Sequence, residues 1–158
     1  MDKEKNKKFK AKKNKDHNRR ENNREKYNVE KIVFSFKYFV ESPLKPSFQS
    51  FKSWEKDKIL SNFIEKLKFL TNMTIKEAEK GNFITIYQEL SPKCHFKKEV
   101  QKIEENYKET NKIKWTSIKK LSGKEGKARV IGFFEENIFN IVFLDKDHLF
   151  YPSKLRNT

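Results

Sequence analysis

The sequence predicts an α+β domain in which an antiparallel sheet carries an αα-hairpin on one face. Three observations lead to this prediction. The most apolar stretch divides at Glu136-Asn137 into two runs, Ala128–Phe134 and Ile138–Leu144, both rich in β-branched and aromatic residues as strands are. Residues 54–70 repeat apolar side chains every three or four positions, as an amphipathic helix does. The first 28 residues are strongly basic and have almost nothing to bury.

Residues 1–28 are predicted to form a disordered basic tail. They hold twelve Lys/Arg and five Asp/Glu, with only Phe9, Ala11 and Tyr27 to bury, so burial cannot offset the entropy of ordering them. The remaining residues, 29–158, are predicted to form a single domain. That domain is also basic, with 25 Lys/Arg against 17 Asp/Glu. Both parts of the chain therefore favour an anionic partner.

The first predicted element of the domain is a strand over Lys31–Val40. Ser35 and Lys37 alternate with aromatic residues, which indicates a half-exposed strand near a sheet edge. Two prolines indicate a loop over 41–53.

A helix is predicted over Trp54–Leu70, with Ser53 as its N-cap and acidic residues in the first turn. Its apolar face comprises Ile59, Leu60, Phe63, Ile64, Leu67 and Leu70. Thr74 and Glu77 have the spacing of a capping box, and Gly81 is placed to end a short second helix. This second helix is too short to read a DNA major groove, so the pair is interpreted as an αα-hairpin that covers the sheet.

The next segments complete the α+β pattern. Phe83–Leu90 is predicted as a strand, Lys98–Lys108 as a polar helix and Ile113–Leu121 as a further strand. Glycine-rich residues 123–126 form the turn into the final hairpin.

Several classes of protein are excluded by composition. Cys94 and His95 are one adjacent pair, whereas a structural zinc site takes about four ligands, so no metal site is expected. No cofactor is expected either. No apolar run approaches the ~20 residues of a membrane span, and the charged N-terminus does not resemble a signal peptide. We therefore expect a cytoplasmic protein without a membrane partner.

The final hairpin gathers the residues that can carry chemistry. With the turn at Glu136-Asn137, the predicted pairs are Glu135 with Ile138, Phe133 with Asn140, Ile131 with Val142, Arg129 with Leu144 and Lys127 with Lys146. This register puts the two cations Lys127 and Arg129 at the same end of the sheet as His148 and Tyr151.

Arg129, His148 and Tyr151 are the candidate catalytic residues, and they suffice for RNA cleavage without a metal. Arg129 can pair with the scissile phosphate, His148 can move protons, and Tyr151 can donate a hydrogen bond or stack on a base. Structural alternatives exist for each residue. Arg129 can instead be solvated or pair with Asp145, His148 can be held in a turn, and Tyr151 can pack on the sheet.

A second group of residues is predicted to bind nucleic acid. It comprises Lys114, Trp115, Lys120, Lys127 and Lys146. Basic residues interleaved with aromatic ones favour an RNA or ribosome partner, although a half-buried tryptophan of the sheet is the alternative for Trp115.

Residues Ala128–Tyr151 resemble the last strands of the RelE/ParE toxin superfamily. The resemblance lies in Arg129-Val130-Ile131, the tight turn, the apolar strand Ile138–Leu144, and a tail with His148 and Tyr151. The initial strand and αα-hairpin also follow the order of elements in that fold. The chain departs from the family in its insertion 83–111, its basic tail, and an acidic Asp-Lys-Asp before His148.

The resemblance implies a metal-independent, ribosome-dependent mRNA endoribonuclease that an antitoxin-like protein neutralises. Two alternatives stay open. One is a non-catalytic nucleic-acid- or ribosome-associated accessory protein of a phage or other mobile element. The other is a protein-binding inhibitor that uses an exposed strand edge.

Overall fold

The structure of the chain, a computed structural model, describes residues 30–41, 50–107, 112–121 and 126–152. The backbone divides into two units after Lys31, and every element named below belongs to the unit that begins at Ile32. The predicted tail over 1–28 lies outside the described residues, as does most of the predicted turn at 123–126.

The described part of this unit contains five strands and four helices around a single sheet. In chain order they are β1 (Val33–Ser35), α1 (Phe51–Lys56), α2 (Leu60–Leu70), α3 (Ile75–Lys80), β2 (Ile84–Ile86), α4 (Lys97–Asn106), β3 (Trp115–Ile118), β4 (Arg129–Glu135) and β5 (Ile138–Asp145). The strand order is β1-β5-β4-β3-β2. Only β1 pairs in parallel, with β5, and the other neighbours are antiparallel. The predicted α+β class is confirmed.

Each face of the sheet buries its own core. On the first face, Trp54 of α1 and Phe63 of α2 pack with Val130 and Phe139 of the central strands. The αα-hairpin therefore covers one face, as predicted. The second face carries another apolar cluster, built from Phe96, Val100, Trp115, Phe143 and Phe150. Helix α4 and the residues after β5 contribute to this second layer, which explains why β4 and β5 are apolar on both sides.

The β4–β5 hairpin turns at Glu136-Asn137 as predicted, but its predicted register is wrong beyond Phe133. Ile131 pairs with Phe143 instead of Val142, and Arg129 pairs with Asp145 instead of Leu144. A bulge beside Gly132 shifts the register because it places one extra residue on β5. Val142 and Phe143 both enter the second core.

The backbones of β4 and β5 approach closely at this bulge. A Cβ on Gly132 would collide with the carbonyl oxygen of Asn140 and lie 2.8 Å from the Phe139 ring. Gly132 thus has a structural role in the centre of the sheet.

The prediction of a single helix over Trp54–Leu70 is wrong, because the segment is broken into α1 and α2. Lys58 adopts a left-handed conformation (φ 57°) between them. Helix α1 is capped by Ser50, whose hydroxyl accepts a hydrogen bond from the Ser53 amide at 3.1 Å, so Ser53 is not the cap. On α2, the predicted core residue Ile64 is 54% exposed.

The short helix α3 is as predicted. The Thr74 hydroxyl accepts a hydrogen bond from the Glu77 amide at 3.2 Å, and Glu77 Oε2 accepts one from the Thr74 amide at 2.7 Å. Gly81 caps the C-terminal end. Strand β1 is shorter than predicted, because the chain turns at Lys37-Tyr38.

Candidate functional site

A cavity of about 570 Å³ lies at the end of the sheet where β4 begins and β5 ends. Its volume is in the usual range for a site that takes a small ligand. The lining residues are Thr85, Tyr87, Ser91, Pro92, Lys93, Lys119, Arg129, His148, Tyr151 and Pro152. All three predicted catalytic residues are among them. Among the described residues, the lining contains three cationic side chains and no carboxylate, so this part of the cavity is suited to an anion.

Arg129 is the first residue of β4, and its guanidinium is fixed by the chain that leads into that strand. Nη1 donates hydrogen bonds to the carbonyl oxygens of Gly126 and, at 2.9 Å, Ala128. In the described ranges it forms no ion pair, so the alternative of an Arg129–Asp145 pair is not observed. Burial lowers the pKa of Arg129, but an arginine still carries its charge at neutral pH.

Asp145 lies opposite Arg129 in the ladder but does not line the cavity. Its buried carboxylate binds the C-terminal tail, residues 146–152. Oδ1 accepts a hydrogen bond from the Leu149 amide and Oδ2 one from the Phe150 amide, each at 2.8 Å. Burial raises the pKa of Asp145, and these two hydrogen bonds act in the opposite direction. Asp145, the first of the acidic residues before His148 in the sequence, therefore holds the residues after β5 against the sheet.

His148 stands in the turn that Asp145 closes. Its backbone is left-handed (φ 61°), and its half-buried ring lines the cavity. Burial lowers the pKa of His148, and the nearby charge of Arg129 lowers it further. The imidazole is therefore neutral at physiological pH and can accept a proton.

Two tyrosines form one wall of the cavity. The rings of Tyr87 and Tyr151 stack with centroids 4.4 Å apart and planes 5° from parallel. The Tyr87 hydroxyl is hydrogen-bonded to Ser117 Oγ at 2.9 Å, and burial raises its pKa. Tyr151 remains 38% exposed, so the stack presents an aromatic surface to solvent at the rim.

Lys119 and Lys93 also line the cavity and carry positive charge, and neither was predicted as a site residue. Lys119 follows β3, and its Nζ donates a hydrogen bond to Asn82 Oδ1. Its pKa is lowered by burial first and then by Arg129 and Lys120. Residues 113–121 alternate as a strand does, which puts Lys119 on the same face as Ser117. From this alternation Lys119 could have been predicted to lie near the cavity. Lys93 lies in a loop that no periodic pattern marks.

The residues predicted to bind nucleic acid do not form one surface. Lys146 is paired with Asp57 at 2.7 Å, beside the end of α1. Lys114 is exposed beside a second concavity of about 870 Å³ near the β4–β5 turn, at the opposite end of the sheet. Lys127 is exposed just before β4, and Lys120 is exposed near the Phe83 ring.

Trp115 belongs to the core. Its side chain is 4% exposed, it stacks on Phe143 with centroids 5.9 Å apart, and its indole N–H donates a hydrogen bond to Glu104 at 2.9 Å. Because the ring is buried on the second face of the sheet, a base has no access to it. The structural alternative for Trp115 is therefore the one observed.

The described ranges contain neither a metal site nor a reactive thiol. No group of three or more His, Cys, Asp or Glu side chains there is arranged to hold a metal ion. Burial raises the pKa of Cys94 to about 11, so its thiol is a poor nucleophile. Across these same residues, none of the helices is both long and apolar enough to traverse a bilayer.

In comparisons with known proteins, no family model, curated protein or solved structure matches this chain. The resemblance to RelE/ParE toxins thus stays a prediction from the sequence.

Proposed function

We propose that the cavity binds a phosphodiester of single-stranded RNA and promotes its cleavage without a metal. The observation that supports this is the meeting of Arg129, Lys119 and His148 in one cavity, with no carboxylate among the described residues that line it. Two fixed cations attract the phosphate, and no acidic side chain of the described lining repels it. The neutral imidazole supplies the proton acceptor that such a reaction needs.

In the proposed reaction, His148 takes the proton of the ribose 2′-hydroxyl as its oxygen attacks phosphorus. The bond from phosphorus to the 5′-oxygen breaks, which leaves a 2′,3′-cyclic phosphate and a 5′-hydroxyl. Arg129 and Lys119 stabilise the charge on the phosphoryl oxygens in the transition state. Lys119, whose pKa is lowered, donates the proton that the leaving 5′-oxygen takes up.

The resemblance of Ala128–Tyr151 to the RelE/ParE superfamily extends this proposal to mRNA on the ribosome. In that setting, an antitoxin-like protein that covers the cavity is the expected inhibitor.

The test is cleavage of a short fluorescent RNA by the purified protein in EDTA, with and without ribosomes. Arg129→Ala and His148→Ala should each lower the rate by about 100-fold or more, since each removes a group that acts on the reacting atoms. His95→Ala is the matched control, because His95 is exposed and does not line the cavity. A wild-type protein that leaves RNA intact under both conditions contradicts cleavage, as does a rate that survives both substitutions.

A non-catalytic RNA-binding protein is the second candidate. The observation that favours it is that, of the described residues that line the cavity, His148 is the only histidine or acidic one, while burial raises the pKa of Tyr87. In that case, the RNA stays intact, Arg129→Ala weakens its binding, and His148→Ala changes the affinity little.

A further inference from the structure

A second cationic cluster lies next to the cavity, around the ring of Phe83. Lys66 Nζ of α2 is 5.0 Å from the ring centroid, and Lys120 Nζ is 4.8 Å from the same centroid. Lys66 Nζ is also 5.4 Å from the ring of Phe69, which packs edge-on against Phe83. Within the described ranges, neither ammonium group forms an ion pair with a carboxylate. Two aromatic rings thus offset part of the cost of holding like charges close together.

This Phe83 cluster is continuous with the cavity through Lys119. Lys119 lines the cavity, while its Nζ donates a hydrogen bond to Asn82, the residue before Phe83. Lys120 follows it directly in the chain, and its Nζ lies 3.5 Å from the Gly81 carbonyl oxygen. The cations therefore form one row, from Arg129 through Lys119 and Lys120 to Lys66.

The positive charges in this row repel one another. Besides burial, the nearby Lys120 lowers the pKa of both Lys66 and Lys119, and Arg129 lowers that of Lys119. No carboxylate of the described residues is among the groups that shift the pKa of these two lysines. A bound polyanion would relieve this repulsion along the whole row. A single phosphate in the cavity would relieve it only at Arg129 and Lys119.

Exposed aromatic surface lies beside Lys66 and Lys120, at the end of the row away from the cavity. Phe69 is 43% exposed, and Phe83 beside it is partly exposed. Unpaired bases stack on aromatic rings, while a cationic groove follows their backbone. Paired bases inside a duplex do not offer their faces in this way, so the combination favours a single strand.

We propose that the RNA strand held in the cavity continues along this row, with its phosphates against Lys120 and Lys66 and its bases against Phe69 and Phe83. This inference rests on the proposed function and specifies its substrate as a single strand of several nucleotides. A dinucleotide fills the cavity alone, and a longer strand also reaches the Phe83 cluster.

The experiment compares a labelled dinucleotide with a labelled decanucleotide RNA by fluorescence anisotropy, over 50 to 200 mM salt. The variant is Lys66→Gln with Lys120→Gln. The matched control is Lys98→Gln with Lys102→Gln, which removes the same charge from exposed positions of α4. Each phosphate contact on a single strand contributes about 0.7 to the slope of log affinity against log salt.

The variant should therefore have a salt slope about 1.4 smaller for the decanucleotide, and unchanged binding of the dinucleotide. Over this fourfold change in salt, the wild type would lose roughly sevenfold more affinity than the variant. The control should keep the wild-type slope.

Failure of this inference differs from failure of the proposed function. If the decanucleotide binds with the same slope to wild type and variant, while Arg129→Ala weakens both RNAs, the row is not a binding track and the cavity proposal survives. Equal affinity for duplex RNA also overturns the single-strand assignment. If neither RNA binds the wild type, both proposals are wrong.

Discussion

The buried carboxylate of Asp145 offers the sharpest test of how the cavity is held together. It ends β5 and accepts hydrogen bonds from the amides of Leu149 and Phe150, so it fixes the turn that carries His148. Asp145→Asn keeps the shape of the side chain but leaves one acceptor oxygen. One of the two tail amides must then face an NH₂ group.

The expected effect follows from these two hydrogen bonds. A buried amide without an acceptor costs about 1–3 kcal/mol. Removal of the charge also removes its desolvation, which raises the pKa of Asp145 in the folded protein, so part of this cost is offset. We expect the closed form of residues 146–152 to lose about 1–2 kcal/mol, which corresponds to a roughly 5- to 30-fold larger equilibrium constant for opening.

Amide hydrogen exchange at Leu149 and Phe150 measures this opening directly. Asp147→Asn is the matched control, because the exposed Asp147 carboxylate accepts no hydrogen bond within the described ranges. Wild-type protection of both amides in Asp145→Asn, or equal loss of protection in the control, would refute the role assigned to this carboxylate.

Two further predictions concern the hairpin and the cavity. Gly132→Ala should lower the free energy of unfolding by about 1–3 kcal/mol or more, because the new Cβ collides with the Asn140 carbonyl oxygen in a central strand. A thermal midpoint equal to that of the wild type would contradict this. Because burial and Arg129 both lower the pKa of His148, Arg129→Ala should raise it in an NMR titration. The lowered folded-state pKa also means that His148 contributes stability above pH 6.5, and this stability is lost as the pH falls through the folded-state pKa. His148→Gln should flatten this part of the stability profile in denaturant titrations.

Features set by short-range chemistry could be predicted from the sequence. The capping box of Thr74 and Glu77 and the helix end at Gly81 depend on residues within one or two turns. The hairpin turn at Glu136-Asn137 is likewise set by the residues beside it. In each case the chain makes its own hydrogen bonds locally, so the pattern of residue types is sufficient.

Features set by distant packing could not be predicted in this way. The bulge beside Gly132 lets Val142 and Phe143 both enter the second core, and a strand apolar on both faces gives no sign of such a shift. The break at Lys58 is similar, because the helical periodicity on either side continues through it. Burial of Trp115 depends on α4, which the local sequence of β3 does not reveal.

The cavity was predicted in part. Arg129, His148 and Tyr151 were expected at one end of the sheet, and the structure brings them to one cavity, while their catalytic role stays a prediction. Tyr87 was missed because it reaches the cavity only through the pairing of β2 with β3 at the sheet edge. That pairing joins segments about 30 residues apart, and local patterns do not specify it.

The two separate cores have a spectroscopic consequence. The chain contains two tryptophans, and each is buried in a different layer: Trp54 of α1 on the first face of the sheet, and Trp115 on the second face with α4 and Phe150. Intrinsic fluorescence therefore samples both sides of the sheet with one fluorophore each. Replacing either indole with phenylalanine leaves a protein whose emission reports on one layer alone, so the two unfolding curves tell whether the layers melt together.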